Sequence, residues 1–105
     1  DSAGAVFSAN TLHFMSMPAV AAFFVGCGKL LSSGGLLIVY GPFRYAGNYT
    51  SASNKNFNEW LIAGNPERGV RDFEWVESLA VTHGFALHAD TAMPANNQLL
   101  VWGKV

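Results

Sequence analysis

Leu36-Leu37-Ile38-Val39-Tyr40, bounded by Gly35 and Gly41, is a short run of apolar and aromatic residues without a break. A run of this length and uniformity suits a strand buried on both faces of a sheet. Ala5-Val6-Phe7-Ser8-Ala9 has the same character and no helical spacing. Between the two, Ser16 is placed to cap a helix with Pro18 in its first turn, which carries Val20, Phe23, Phe24 and Leu31 toward a core until Ser32-Ser33-Gly34-Gly35 stops it. Two buried strands joined by a helix predict a parallel pair with a right-handed crossover. The class is α/β.

Beyond this unit, Gly41-Pro42-Phe43-Arg44 opens a polar stretch through Ser53 that reads as a loop, because no hydrophobic period survives in it. Phe57, Trp60 and Leu61 then recur at helical spacing, with Ser53 or Asn54 as the cap and Gly64-Asn65-Pro66 as the stop. Asp72 reads as the cap of a further helix, with Glu74 in its first turn, Phe73, Val76, Leu79 and Ala80 as its apolar stripe and Gly84 as its end. Phe85, Leu87, Ala89 and Thr91 alternate with Ala86, His88 and Asp90. Leu99-Leu100-Val101-Trp102 follows after Met93-Pro94-Ala95-Asn96-Asn97, which predicts a closing antiparallel pair. The expected order is strand, helix, strand, helix, helix, strand, strand, with no internal repeat.

The 105 residues are 50% hydrophobic and 12% charged, which excludes a disordered segment and fits a single small domain. That charged fraction is about half the usual one, so a partner or a missing segment is expected to cover apolar surface. A net charge of −1 from six basic and seven acidic residues leaves no electrostatic footprint for nucleic acid. The apolar stretch from Met17 to Val25 is interrupted by Pro18 and is far short of the roughly 20 residues that span a membrane. Asp1-Ser2-Ala3-Gly4 has no basic or apolar signal character, and a cytoplasmic location is the expectation.

The same residues exclude several chemistries. Gly26-Cys27-Gly28 lies near the end of a helical pattern, whereas a phosphate cradle stands between a strand and a helix amino terminus, so close helix packing is expected there. Cys27 is the only cysteine and reads as a small buried hydrophobe. The sequon Asn48-Tyr49-Thr50 reads as part of a polar loop. His13, His83 and His88 are scattered without metal-ligand spacing. Ser8, His13 and Asp90 make a triad only on paper, because no strand-to-helix nucleophile elbow accompanies them.

The segments beyond the carboxyl ends of the two parallel strands remain, and ligand crevices of open α/β sheets form at such ends. Asn10 offers an amide, His13 a group that exchanges protons near neutral pH, and Phe43 an apolar wall. Arg71 reads as the neutralising neighbour of Asp72, and Asn96-Asn97 fits a plain hairpin turn.

Asn10-Thr11-Leu12-His13, Gly41-Pro42-Phe43, Ser53-Asn54, Gly69-Val70-Arg71-Asp72 and Met93-Pro94-Ala95-Asn96-Asn97, in this order, resemble the carboxyl-terminal half of a class I S-adenosylmethionine-dependent methyltransferase-like family. The resemblance implies a seven-stranded sheet of which this chain supplies the fourth to seventh strands. It places Asn10 and His13 near the transferred methyl group, Gly41-Pro42-Phe43 at the acceptor pocket, and Arg71, Asn96 and Asn97 among the candidate substrate-binding residues. The family's glycine-rich first loop and ribose-binding acid have no counterpart in these residues. The expectation is therefore a half-domain over 1–105 that is not catalytic alone, with no cofactor of its own and S-adenosylmethionine only when an amino-terminal half completes it. An oligomeric module without catalysis and a small-ligand binding domain are the alternatives. A strand at Ala5–Ala9 stripped of its neighbour would be an apolar open edge, and a homodimer through it is the expected partner arrangement.

Overall fold

The computed structural model describes residues 4–105, so the reading of Asp1 to Ala3 lies outside the described residues. The chain runs β1 (Ala5–Ala9), α1 (Met17–Leu30), β2 (Leu36–Gly41), β3 (Phe43–Tyr45), β4 (Asn48–Tyr49), α2 (Ala52–Gly64), β5 (Arg71–Asp72), α3 (Phe73–Thr82), β6 (Phe85–Met93) and β7 (Asn97–Lys104). Single 3-10 turns at Leu12–Phe14 and Pro94–Asn96 precede α1 and β7. The main sheet has the order β1-β2-β7-β6. β1 and β2 are parallel, and β7 inserts antiparallel between β2 and β6.

Helix α1 starts where Ser16 accepts a bond from the Ala19 amide at 3.2 Å, with Pro18 in the first turn. It lays Val20, Phe24 and Cys27 on the sheet, where Leu37, Val39, Leu100 and Trp102 meet them together with Val76 and Ala80 of α3. Phe24 meets Trp102 edge to face at 5.8 Å, and the buried indole donates to Glu77 at 2.7 Å, so the largest core side chain keeps its hydrogen bond. Lys104 reaches from β7 to the Gly28 and Leu31 carbonyls at 2.7 and 3.0 Å and closes the end of α1. Gly28 is the packing glycine of the Gly26-Cys27-Gly28 segment: a Cβ there would lie 3.0 Å from the His83 carbonyl, whereas Gly26 faces open space. No described helix is long and apolar enough to cross a membrane.

Four local expectations are corrected. The sheet is covered on one face only. Phe7, Ile38 and Val101 are in register across β1, β2 and β7, on the face opposite Leu37 and Val39, and Phe7 is 63% exposed. The double-sided burial read from the two apolar runs therefore holds for neither strand within this chain. The segment after β2 is not a structureless loop, because β3 and β4 form a hairpin and β5 pairs parallel to β3, giving a small sheet of order β4-β3-β5. Its turn, Ala46-Gly47, has φ of 50° and 79°, the left-handed pair that a two-residue hairpin needs. Ser51, not Ser53 or Asn54, caps α2 by accepting from the Asn54 amide at 3.1 Å. Asp72 occupies the cap position of α3 but makes no capping bond, because Arg44 holds its carboxylate through Nε at 2.6 Å and Nη2 at 3.0 Å.

Candidate functional site

A cavity of about 380 Å³ opens beyond the carboxyl ends of β1 and β2. Asn10, His13 and Phe14 line it from the segment after β1, and Pro42 from the segment after β2. Ser53, Asn54 and Phe57 contribute the start of α2, while Ala95 and Asn97 contribute the β6–β7 connection. None of these side chains carries a charge at neutral pH once His13 is neutral.

The local backbone explains the convergence. Asn10 ends β1 in the left-handed region at φ 56°, and its amide donates to the Tyr40 carbonyl at 2.8 Å, which turns the chain over the end of the sheet into the 3-10 turn that holds His13. Gly41 is the floor: a Cβ there would lie 3.8 Å from His13 Nδ1 and 3.9 Å from Asn10 Oδ1, so both polar atoms rest over a residue without a side chain. His13 is 4% exposed, 4.7 Å from the Phe14 ring and 5.3 Å from the edge-on Phe57 ring. Its carbonyl accepts from the Gly69 amide at 3.0 Å, which anchors the turn to the segment after α2. Burial first, and the Arg71 charge second, hold its pKa down at about 4, so the imidazole is neutral at physiological pH.

The far wall is tied across the chain. Asn54, buried at the start of α2, donates to Thr50 Oγ1 and to the Asn96 carbonyl, each at 3.0 Å. Asn97 donates to the Tyr40 hydroxyl at 3.2 Å. Of the four described non-glycine residues with positive φ, Asn10, Ala95 and Asn96 all lie in segments that border this cavity. Backbone strain of this kind persists where surrounding bonds over-determine it.

Thus the structure brings together Asn10, His13 and Asn97, with Asn96 entering through its carbonyl. Phe43 lies in the core at 2% exposure, and its neighbour Pro42 lines the cavity. Arg71 stands outside it, donating through Nη2 to the Met15 and Glu67 carbonyls, and does not pair with Asp72. Phe14 and Phe57 carry no site signal in the sequence, and only their ring contacts with His13 reveal them. Asn54 carried a weak signal, since a polar residue on the buried stripe of a helix must find hydrogen-bond partners for its amide. The paper triad is dispersed: the Ser8 hydroxyl bonds Thr11, and Asp90 accepts from Tyr45 and Gln98. Among the described residues no group of three or more His, Cys, Asp or Glu is placed to hold a metal.

The fold recurs in solved methyltransferases. An O-methyltransferase family 2 protein from Planctomyces limnophilus, in complex with apigenin, superposes with a TM-score of 0.86 at 16% identity over 96% of this chain and 30% of that one. Human N-acetylserotonin methyltransferase in complex with S-adenosylmethionine gives 0.83 at 13% identity, over 95% and 29%. A putative O-methyltransferase from Nostoc punctiforme gives 0.81 at 21% identity, over 95% and 31%. The chain spans about 30% of the length of these proteins, and it has the fold of a methyltransferase-like carboxyl-terminal half. A family model described as "Protein of unknown function (DUF938)" matches residues 1–104, and the chain belongs to that family.

Proposed function

We propose that this chain is the acceptor side of an S-adenosylmethionine-dependent methyltransferase, active only together with a cofactor-binding half. The observation that carries this reading is the placement of Asn10 Oδ1 and a neutral, buried His13 over Gly41, at the strand ends where open α/β sheets hold their ligands. The residues present fit one wall of a cofactor site and no more, since they include no glycine-rich phosphate-type loop and no ribose-binding acid after a strand. When bound, the cofactor supplies a methyl group on a sulfonium.

This chain's residues then have three tasks. The uncharged cavity with its Phe14 and Phe57 walls favours a neutral acceptor. Asn10 and Asn97 would orient the acceptor's polar group through their amides, and such positioning supplies most of the acceleration of a group transfer. His13, unprotonated at neutral pH, would take up the acceptor's proton on a ring nitrogen. The test is His13→Ala in an assembly that transfers methyl groups. Turnover is expected to fall by about 10²-fold or more with little change in fold stability, and unchanged turnover would leave His13 as a structural residue.

A further inference from the structure

Asn97 differs from the other amide side chains of the cavity in how it is held. Asn54 makes two hydrogen bonds, and Asn10 rests over the bare floor at Gly41. The Asn97 side chain makes a single bond among the described residues, from Nδ2 to the Tyr40 hydroxyl at 3.2 Å. Asn97 opens β7 directly after left-handed backbone at Ala95 and Asn96, so the direction of its side chain depends on a contact outside its own turn.

Tyr40 supplies that contact from a position between both walls. It stands in β2 opposite Ala9 of β1 on one side and Leu99 of β7 on the other. Its backbone carbonyl accepts from the Asn10 amide at 2.8 Å, its hydroxyl accepts from Asn97, and the residue after it is the Gly41 floor. Tyr40 does not itself line the cavity. Among the described residues its hydroxyl bonds to nothing but Asn97, so removing that one oxygen touches Asn97 alone. With Nδ2 engaged, Asn97 Oδ1 has no partner among the described residues and is free to accept from a hydroxyl at the cavity wall.

We propose that Tyr40 is a positioning residue of this site, whose hydroxyl holds the Asn97 amide in the direction that receives a ligand's hydroxyl group. The inference rests on the reading of the cavity as an acceptor site. A side chain fixed before the ligand arrives loses less freedom on binding, and that saving appears as affinity. An unheld asparagine still bonds a hydroxyl, but only after its rotamers are narrowed at the ligand's expense. Loss of the Tyr40 hydroxyl therefore weakens recognition of the polar group and leaves the apolar contacts with Phe14 and Phe57 in place.

The test is a titration of the isotopically labelled chain with phenol and, separately, with toluene, which has nearly the same shape and lacks the hydroxyl, following the Phe14 and Phe57 ring resonances. An apolar cavity of about 150 Å³ holds benzene, so a cavity of about 380 Å³ admits either probe. Tyr40→Phe is expected to weaken phenol binding about two- to tenfold, the range of one hydrogen bond, and to leave toluene binding unchanged. Asn97→Ala should show the same selectivity, and adding Tyr40→Phe to it should cost nothing further, because the two act through one contact. Undiminished phenol affinity in Tyr40→Phe would overturn the proposal. So would an equal loss for both probes, which marks damage to the cavity as a whole, or losses that add in the double variant, which mark Tyr40 as acting apart from Asn97. Failure of the acceptor-site reading looks different: neither probe would then give a saturable shift in the unmodified chain, and the proposal would fall with it.

Discussion

His13 couples the site to stability through its charge. A histidine in the unfolded chain titrates near 6.5, and in the folded chain this one is held at about 4, so between those values the unfolded state binds a proton that the native state refuses. The contribution is fully present above pH 6.5 and drains away as pH falls toward 4. Its size is on the order of 3 kcal/mol for a shift of this magnitude in a buried group. Denaturant unfolding between pH 7 and pH 4 should show that loss in the unmodified chain, and His13→Phe, which keeps a ring and removes the titration, should flatten it. An unchanged pH dependence in His13→Phe would assign the acid sensitivity to other groups. Arg71 enters here as a second-order cause, since its charge opposes the imidazolium, and this explains why a residue outside the cavity bears on the residue inside it.

At the scale of elements, what the sequence made legible depended on whether a segment's own pattern decided its structure. α1 carried a cap, an early proline, an apolar stripe and a glycine stop, and it formed from Met17 to Leu30. β2 and the closing pair β6–β7 were equally plain. The hairpin β3–β4 was not, because Ala46 sits at φ 50°, where alanine is costly and gives no turn signal, and because its pairing depends on β5, far along the chain. Arg44 and Asp72 are brought together by that pairing, so the ion pair that displaces the expected cap is a tertiary fact. Restoring the turn signal should therefore help the hairpin. Ala46→Asn, which creates the preferred Asn-Gly pair, is expected to raise stability by about 0.5–1 kcal/mol, seen as a higher melting temperature. A lower one would mean that the Ala46 amide's bonds to Glu74 are disturbed by the change.

At the scale of the whole molecule, the cavity was legible in Asn10 and His13, because strand ends in such sheets are where sites form, and in Asn97 only through the family resemblance. Its α2 wall was not, because Asn54 and Phe57 reach it only through the packing of a helix whose exposed Trp60 and buried Leu61 belong to the same apolar stripe. The cofactor side follows from the same accounting of residues. No element of this chain resembles the loop and acid that grip the methionine moiety and ribose, so calorimetric titration of the isolated chain with S-adenosylmethionine should show no tight, stoichiometric binding. Stoichiometric binding at micromolar affinity would require a cofactor site built from other residues.

The uncovered face and the outer edge of β1 pose the remaining question, which is what meets them. β1 is the last strand of its sheet on one side, so its outer amides and carbonyls have no strand partner among the described residues, and neither lysine nor proline interrupts Ala5 to Ala9. Phe7, Ile38 and Val101 form an apolar row on the face away from α1 and α3, with Phe7 exposed and the other two half-buried. Two copies joined antiparallel through β1 around a two-fold axis would complete one continuous sheet and bring the two rows side by side. Phe24 of α1 is wholly buried against the sheet and is unavailable to such an interface, which leaves half-buried Phe23 as the contribution of that helix. The expected outcome is a homodimer of the isolated chain in light scattering at micromolar concentration. Phe7→Lys, which places a charge on both the row and the edge, should convert it to a folded monomer. A monomer in the unmodified chain would refute the pairing and leave the edge to a cofactor-binding half of the methyltransferase fold, whose addition in a separate chain should then shift the scattering mass to that of a one-to-one complex.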